Sequence, residues 1–314
     1  MRRIVFILAL PLLVPLLLLR MTRAALVSDS TPVVTDLATL LEPGRHLISI
    51  RVDDHDRKFL FVTPQGFKPG APLPIVFFFH GAGGSARQAA HTYGWAEKAD
   101  KENFFAAFPE GLPLQPDSGG FFHVWRDERG NRPMDLSDVH FFEVLLGRLQ
   151  TTLPIDSHRI YVTGFSNGAG MTFTLGSHFS DRIAAIAPVS SQSFAKVNAL
   201  ARPLPVYYLT GTADPLIPYH GGAFPPVQDS VDFWARLDGC PAQPQVVSDQ
   251  NGVYVLRYGP GRNGSEVLFT TIDGNGHHWP GSVEPLPHFI CGPTLDPFNA
   301  TDRIWDFFKA HPLP

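Results

Sequence analysis

The chain has 314 residues, 44% of them hydrophobic and 17% charged, which is enough apolar material for a sizeable core and excludes a disordered chain. Its 25 basic and 29 acidic residues leave a net charge of -4, and no Lys/Arg cluster follows the N-terminal segment, so nucleic acid is excluded as a partner.

The first element is an export signal. Met1-Arg2-Arg3 is a short basic start, and Ile4 to Leu19 is an apolar run of 16 residues interrupted by Pro11 and Pro15. Thr22-Arg23-Ala24 offers small residues at the right spacing for cleavage before Ala25. An uncleaved anchor is the alternative, but a run of this length is short for a membrane span. Either way the body of the protein is expected outside the cytoplasm, secreted or periplasmic, with no membrane contact for the mature domain. Residues 25–45 form a lead with little pattern. Residues 46–314 contain no repeat or low-complexity linker and read as one domain.

Within that domain Leu47 to Val62 alternates apolar and polar on both sides of Asp53-Asp54-His55-Asp56, the pattern of a β-hairpin. Ile75 to Phe79 is continuously apolar, as expected of a central strand buried on both faces. A glycine turn, Gly81 to Gly84, leads into a helical stretch from Ala86 to about Glu102, and Phe104 to Phe108 is the next strand. Residues 112–133, rich in Gly, Pro and aromatics, read as a long functional loop. Asp138 to Leu149 is helical, with Ser137 as its capping candidate and Asp135 close by. Strands follow at Ile160–Thr163, Ile183–Val189, Val206–Thr210, 246–258 and 266–272, with helices at Ser230–Leu237 and Ala300–Ala310. Strands alternating with helices after a hairpin predict an α/β fold with a mostly parallel sheet and right-handed crossovers.

The chemistry centres on Gly164-Phe165-Ser166-Asn167-Gly168, between a predicted strand and a predicted helix. Gly-x-Ser-x-Gly arises by chance in about one chain in seven of this composition. Its position is more telling: a serine on a sharp strand-to-helix turn stands exposed at the end of a sheet, where open α/β sheets place their ligands. A serine nucleophile needs a base, and the base needs a carboxylate; on this fold they follow in that chain order as acid, then histidine. Asp214, in the loop after the strand Val206–Thr210, fits the acid better than Asp232 or Asp238, which fall in or beside a helix. His277 and His278 both follow the strand 266–272, and their side chains diverge, so only one reaches Ser166. The oxyanion hole needs two backbone N–H groups. Asn167 supplies one by its position after the nucleophile, which leaves its side chain replaceable. The turn His80-Gly81-Ala82-Gly83-Gly84 supplies the other, from Ala82 with Gly83 as rival. His80 precedes Ser166 and is read as bracing the turn.

These motifs resemble the α/β-hydrolase family of polyhydroxybutyrate depolymerases and feruloyl or acetylxylan esterases, the esterase group of carbohydrate esterase family one. The matching segments are His80-Gly81-Ala82-Gly83-Gly84, Tyr161 to Gly168, Gly211-Thr212-Ala213-Asp214 and Gly276-His277-His278-Trp279-Pro280-Gly281, spread over residues 60–310. The family's histidine stands just before x-Trp-Pro-Gly, so the resemblance selects His277 and implies a catalytic set of Ser166, Asp214 and His277. It further implies a secreted serine esterase that needs no cofactor, no metal and no obligate protein partner. Two departures stand out. Members often carry cysteine where this chain has Ala82, and they often pair the cysteine matching Cys240 with one near Gly259-Pro260-Gly261, where none exists here. A Cys240–Cys291 bridge is the remaining disulfide option. Asn263-Gly264-Ser265 and Asn299-Ala300-Thr301 match the glycosylation triplet.

The depolymerases of this group usually add a linker and a binding module, and neither is expected after the C-terminal helix here. The expected substrates are therefore small esters or feruloyl and acetyl groups on plant polysaccharide, with Trp125 and Trp279 as stacking surfaces. The alternatives are polyhydroxybutyrate or its oligomers, a peptidase, or a non-catalytic binding protein on the same fold.

Overall fold

The computed structural model describes residues 32–114, 122–127, 135–222 and 224–314. The segment expected to be an export signal, residues 1–24, lies outside the described residues. Among the described residues no helix is long and apolar enough to cross a membrane.

The elements, in chain order, are β1 (Val33–Val34), a 3-10 turn (Leu37–Leu41), β2 (Gly44–Val52), β3 (His55–Thr63), β4 (Leu73–Phe79), α1 (Ala86–Thr92), α2 (Trp95–Glu102), β5 (Phe105–Pro109), β6 (Leu112–Pro113), β7 (His123–Val124) and α3 (Ser137–Thr152). They continue with β8 (Ile155–Phe165), α4 (Asn167–His178), β9 (Ala185–Val189), β10 (Val206–Gly211), α5 (Val227–Asp238), β11 (Gln245–Gln250), β12 (Val253–Tyr258), β13 (Val267–Ile272), α6 (His288–Cys291) and α7 (Ala300–Ala310). All strands except β6 and β7 join one sheet in the order β1-β2-β3-β5-β4-β8-β9-β10-β13-β12-β11. The centre, from β5 through β13, is parallel and is flanked on both sides by antiparallel pairs, with β1 added in parallel to β2 at one edge. This is the α/β architecture expected from the alternation of strands and helices. The lead is shorter than expected: Val33 and Val34 pair in parallel with Leu47 and Ile48, so the sheet begins before residue 46.

Every residue of β4 is buried, because helices cover both faces of the sheet. Its side chains alternate between two cores. Ile75, Phe77 and Phe79 pack with Phe142 and Leu146 of α3, Met171 of α4 and Trp234 of α5. Val76 and Phe78 pack with Ala90 of α1, Trp95 of α2 and Ile304 and Phe308 of α7.

Local chemistry moved several boundaries. The single helix expected over 86–102 is two, because Gly94 sits at φ 72° and the Tyr93 ring leaves the helix line to stack on Phe78 at 4.6 Å. The strand 246–258 is a hairpin turned at Asn251 (φ 54°) and Gly252 (φ 73°). Ser137 is not the cap of α3: it is the first helical residue, and Asp135 Oδ1 accepts its N–H at 3.0 Å. Within the long loop, residues 112–113 and 123–124 pair antiparallel; residues 115–121 and 128–134 lie outside the described residues. Cys240 and Cys291 are free thiols, so the remaining disulfide option is lost. Burial raises both thiols, Cys240 to about 11 and Cys291 to about 12.

Asp238, rejected above as the acid, is fully buried at the end of α5. Burial pushes its carboxyl up to about 7, against the pull of the Leu204 N–H and the Arg262 and Arg202 charges. Asp238 Oδ1 accepts that N–H at 2.8 Å. A carboxyl raised from 3.8 binds its proton more tightly in the folded state, so its contribution favours folding at low pH and is lost as pH rises through about 7. Asp238→Asn keeps an acceptor for Leu204 and carries no charge. In urea denaturation it should exceed the parent by roughly 2 kcal/mol at pH 8, with the gap narrowing towards pH 5. A gap independent of pH would contradict this account.

Candidate active site

The serine turn is a consequence of crowding. Ser166 has φ 55° and ψ -121°, a conformation that costs energy for a residue with a side chain. Its N–H is held by Val189 O at 2.9 Å. The flanking glycines are required by contact with backbone. A Cβ on Gly168 would lie 2.0 Å from Phe79 O, and one on Gly164 would lie 2.5 Å from Gly168 O. The end of β4 is thereby pressed against the first turn of α4. The turn after β4 then lies beside the serine: a Cβ on Gly81 would be 3.5 Å from Ser166 Cβ.

The structure brings Asp214 and His277 together. His277 Nδ1 meets Asp214 Oδ2 at 2.7 Å, and both side chains are buried. A carboxylate oxygen only accepts, so Nδ1 carries the proton and Nε2 keeps its lone pair. The other carboxylate oxygen, Oδ1, accepts the N–H groups of Leu216 and Ile217 at 2.9 and 2.8 Å, which fixes the acid. The imidazole lies 4.9 Å from the Phe165 ring, one residue before Ser166. His278 turns away, as expected of neighbouring side chains. Its Nε2 meets Gly292 O at 2.9 Å, and burial lowers its pKa.

The loops carrying acid and base are joined to each other. Ala213 N–H donates to Asn275 O at 2.9 Å, and Thr212 Oγ1 bridges Asp273 Oδ1 and Gly274 N–H at 2.9 and 2.8 Å. Gly211 permits this approach, since a Cβ there would lie 2.1 Å from Asn275 O. A segment absent from the sequence reading completes the support. From Cys291 to Leu295 the chain accepts His277 N–H at Cys291 O (2.6 Å), accepts Gly276 N–H at Pro293 O (2.7 Å) and donates Leu295 N–H to Asn275 Oδ1 (2.7 Å). The sequence signal was Gly276, where a Cβ would lie 2.1 Å from Cys291 O.

Gly83 N–H already donates to His123 O at 2.7 Å, whereas among the described residues the N–H groups of Ala82 and Asn167 find no acceptor. His80 braces the turn: its Nε2 accepts Gly111 N–H at 3.0 Å, so Nδ1 carries the proton and donates to Gly81 O at 2.8 Å. Burial lowers the His80 pKa to about 4, which keeps the ring neutral in this role.

Two expectations require correction. Trp125 and Trp279 are 3% and 1% exposed and offer no face to a substrate. Trp279 packs edge-on against both Phe78 and Tyr93 and donates to Thr301 Oγ1 at 3.2 Å. Trp125 packs edge-on to Phe79 and donates its indole N–H to His80 O at 2.9 Å. Both indoles bury their rings and satisfy their N–H groups internally. The Asn167 side chain is also committed: its amide bonds both to the N–H and to the C=O of Trp125, at 2.7 and 3.0 Å. Among the described residues no three His, Cys, Asp or Glu side chains gather as a metal site.

A mostly parallel sheet with a strained serine at the end of a central strand, and an Asp–His pair on the loops after β10 and β13, defines an α/β-hydrolase. The model of the phospholipase/carboxylesterase family matches residues 68–225, and the chain belongs to that family. This places it in the class of ester hydrolases built on this fold. It is 29% identical over 237 residues to feruloyl esterase B of Piromyces equi, covering 70% of the chain but 42% of that relative. It is 23% identical over 273 residues to feruloyl esterase D of Neurospora crassa, covering 83% of the chain and 84% of the relative. Among solved structures, the acetyl xylan esterase of Aspergillus awamori matches with TM-score 0.61 at 14% identity, over 85% of this chain and 99% of that one, which is a likeness of fold.

Gly168→Ala tests the crowding. No flexible side chain stands in the way, only the Phe79 and His80 carbonyls, so the variant should lose at least about 3 kcal/mol or fail to fold. A variant with parental thermal stability would refute the close approach.

Proposed function

We propose that this protein is an exported serine esterase that hydrolyses carboxylic esters through an acyl-enzyme. Ser166 is the nucleophile, His277 the base and Asp214 the acid, and the N–H groups of Ala82 and Asn167 form the oxyanion hole. The observation that carries the reading is the buried Asp214–His277 hydrogen bond at 2.7 Å, beside a serine held at φ 55°.

In this mechanism Ser166 Oγ attacks the ester carbonyl as its proton passes to His277 Nε2. The carbonyl oxygen becomes negative and is met by the two N–H groups. Asp214 balances the imidazolium through Nδ1–H without taking the proton. The imidazolium then protonates the departing alcohol as the C–O bond breaks. A water molecule, deprotonated by His277, attacks the acyl-enzyme and restores Ser166 with release of the acid. The donors stand where charge develops, so they favour the transition state over the bound ester.

The substrates proposed are feruloyl or acetyl esters of plant polysaccharide and related small esters. The reading is supported by relatives named feruloyl esterase and a fold neighbour named acetyl xylan esterase. Export is proposed from the N-terminal sequence, with Ala25 as the first residue of the mature chain.

A fluorophosphonate probe tests the chemistry: the parent should be labelled and Ser166→Ala should not. Labelling of Ser166→Ala would sink the assignment. His277→Ala should lower kcat by at least about a thousandfold, whereas His278→Ala should retain kcat within about tenfold and lose mainly stability. The reverse order would overturn the choice of base. Rates on methyl ferulate, acetylated xylan, p-nitrophenyl esters and hydroxybutyrate oligomers rank the substrates. Turnover confined to the oligomers would replace the plant-ester reading with the depolymerase one.

A further inference from the structure

The two proposed oxyanion donors belong to distant parts of the chain. Asn167 N–H opens α4, and Ala82 N–H lies in the turn after β4. An oxyanion hole works only if its donors are fixed before the charge appears, so something must hold one relative to the other. The segment 122–127 touches both.

Towards the serine, the Asn167 side chain pairs with Trp125 as a neighbouring strand would: Oδ1 accepts Trp125 N–H at 2.7 Å, and Nδ2 donates to Trp125 O at 3.0 Å. Both partners are backbone groups, so the amide orientation is unambiguous. Towards the turn, the same residue donates its indole N–H to His80 O at 2.9 Å, and His123 O accepts Gly83 N–H at 2.7 Å. The next residue is anchored from the other side. Asp138 Oδ2 accepts Arg126 N–H at 2.8 Å, and Asp138 Oδ1 is paired with Arg57 at 2.5 Å with both side chains buried. The segment therefore cannot shift towards one donor without pulling on the other.

The last link is the peptide between Gly81 and Ala82. Gly81 O accepts both His80 Nδ1–H (2.8 Å) and Gly84 N–H (3.0 Å). In a trans peptide the C=O and the following N–H point in opposite directions. Holding Gly81 O thus aims Ala82 N–H away from His80, and His80 is itself tied to Trp125 through its carbonyl.

We propose that the Asn167 side chain is a positioning residue: through Trp125 it locks the turn 80–84 to the start of α4 and so sets the spacing and direction of the two oxyanion donors. This rests on the esterase reading above. The amide does not touch the substrate; its effect passes through Trp125 and His80. The structure thereby gives Trp125, expected to stack on substrate, an internal function.

The test uses Asn167→Ala, Trp125→Phe and the double variant, with p-nitrophenyl acetate as substrate. Asn167→Ala removes both bonds to the Trp125 backbone, and Trp125→Phe keeps a ring but removes the bond to His80 O. Each should lower kcat by roughly ten- to a hundredfold with KM within about threefold, because the misplaced donors matter at the transition state. The inhibition constant of a trifluoromethyl ketone, which forms an oxyanion on attack by serine, should rise in proportion. The double variant should be within about threefold of the worse single one, since both act on one linkage. Parental kcat in Asn167→Ala, or penalties that multiply in the double variant, would overturn the proposal. If Asn167→Ala does not fold, the kcat and ketone inhibition of Trp125→Phe decide it alone. A parent protein that neither hydrolyses the ester nor reacts with a fluorophosphonate would instead remove the esterase reading and this one with it.

Discussion

The contact on which the site depends is between backbone and backbone. Phe79 O at the end of β4 would stand 2.0 Å from a Cβ on Gly168, so the start of α4 can reach the sheet only as glycine. That approach leaves Ser166 on a bend too sharp for ordinary dihedrals, projecting from the strand end. It also sets the turn after β4 beside the serine, where Gly81 lies close to the Ser166 side chain. The same device recurs on the other side of the site. Gly211 at the end of β10 and Gly276 in the loop after β13 each admit a backbone carbonyl at 2.1 Å from a missing Cβ. The loops of the acid and the base meet because these positions have no side chain.

Around these contacts several buried polar groups are bonded to one another. The Asp214 carboxylate uses one oxygen on His277 and the other on two backbone N–H groups. His80 spends both ring nitrogens on backbone. Asn167 and Asp138 bond the backbone of the segment 122–127, and the Trp125 indole N–H donates to His80 O. A buried group without a partner is costly, so each of these bonds constrains the next. Among the described residues the N–H groups of Ala82 and Asn167, beside the serine, find no acceptor.

Much of this was legible from the residues. The strict apolar run Ile75–Phe79 announced a strand buried on both faces, and the hairpin around Asp53-Asp54 announced itself by alternation. Chain order and loop position singled out Asp214. The helix over 86–102 was misread because Gly94 carries one residue's worth of signal within a helical pattern, and the pull of Phe78 on Tyr93 comes from another element. Trp125 and Trp279 were misread for a related reason. An indole near a catalytic loop looks the same in sequence whether its ring faces solvent or core, and only burial distinguishes the two.

The sequence by itself determined the class of fold, the serine turn and the residue types of the proposed site, because periodicity and short-range glycine patterns are local properties. Tertiary structure decided which partners those residues have. It paired His277 rather than His278 with Asp214, gave the Gly83 N–H to His123, and turned Asn167 towards Trp125. Each of those choices depends on residues 14 to 63 positions apart along the chain, and such separations are closed only when the sheet brings the ends of its strands together.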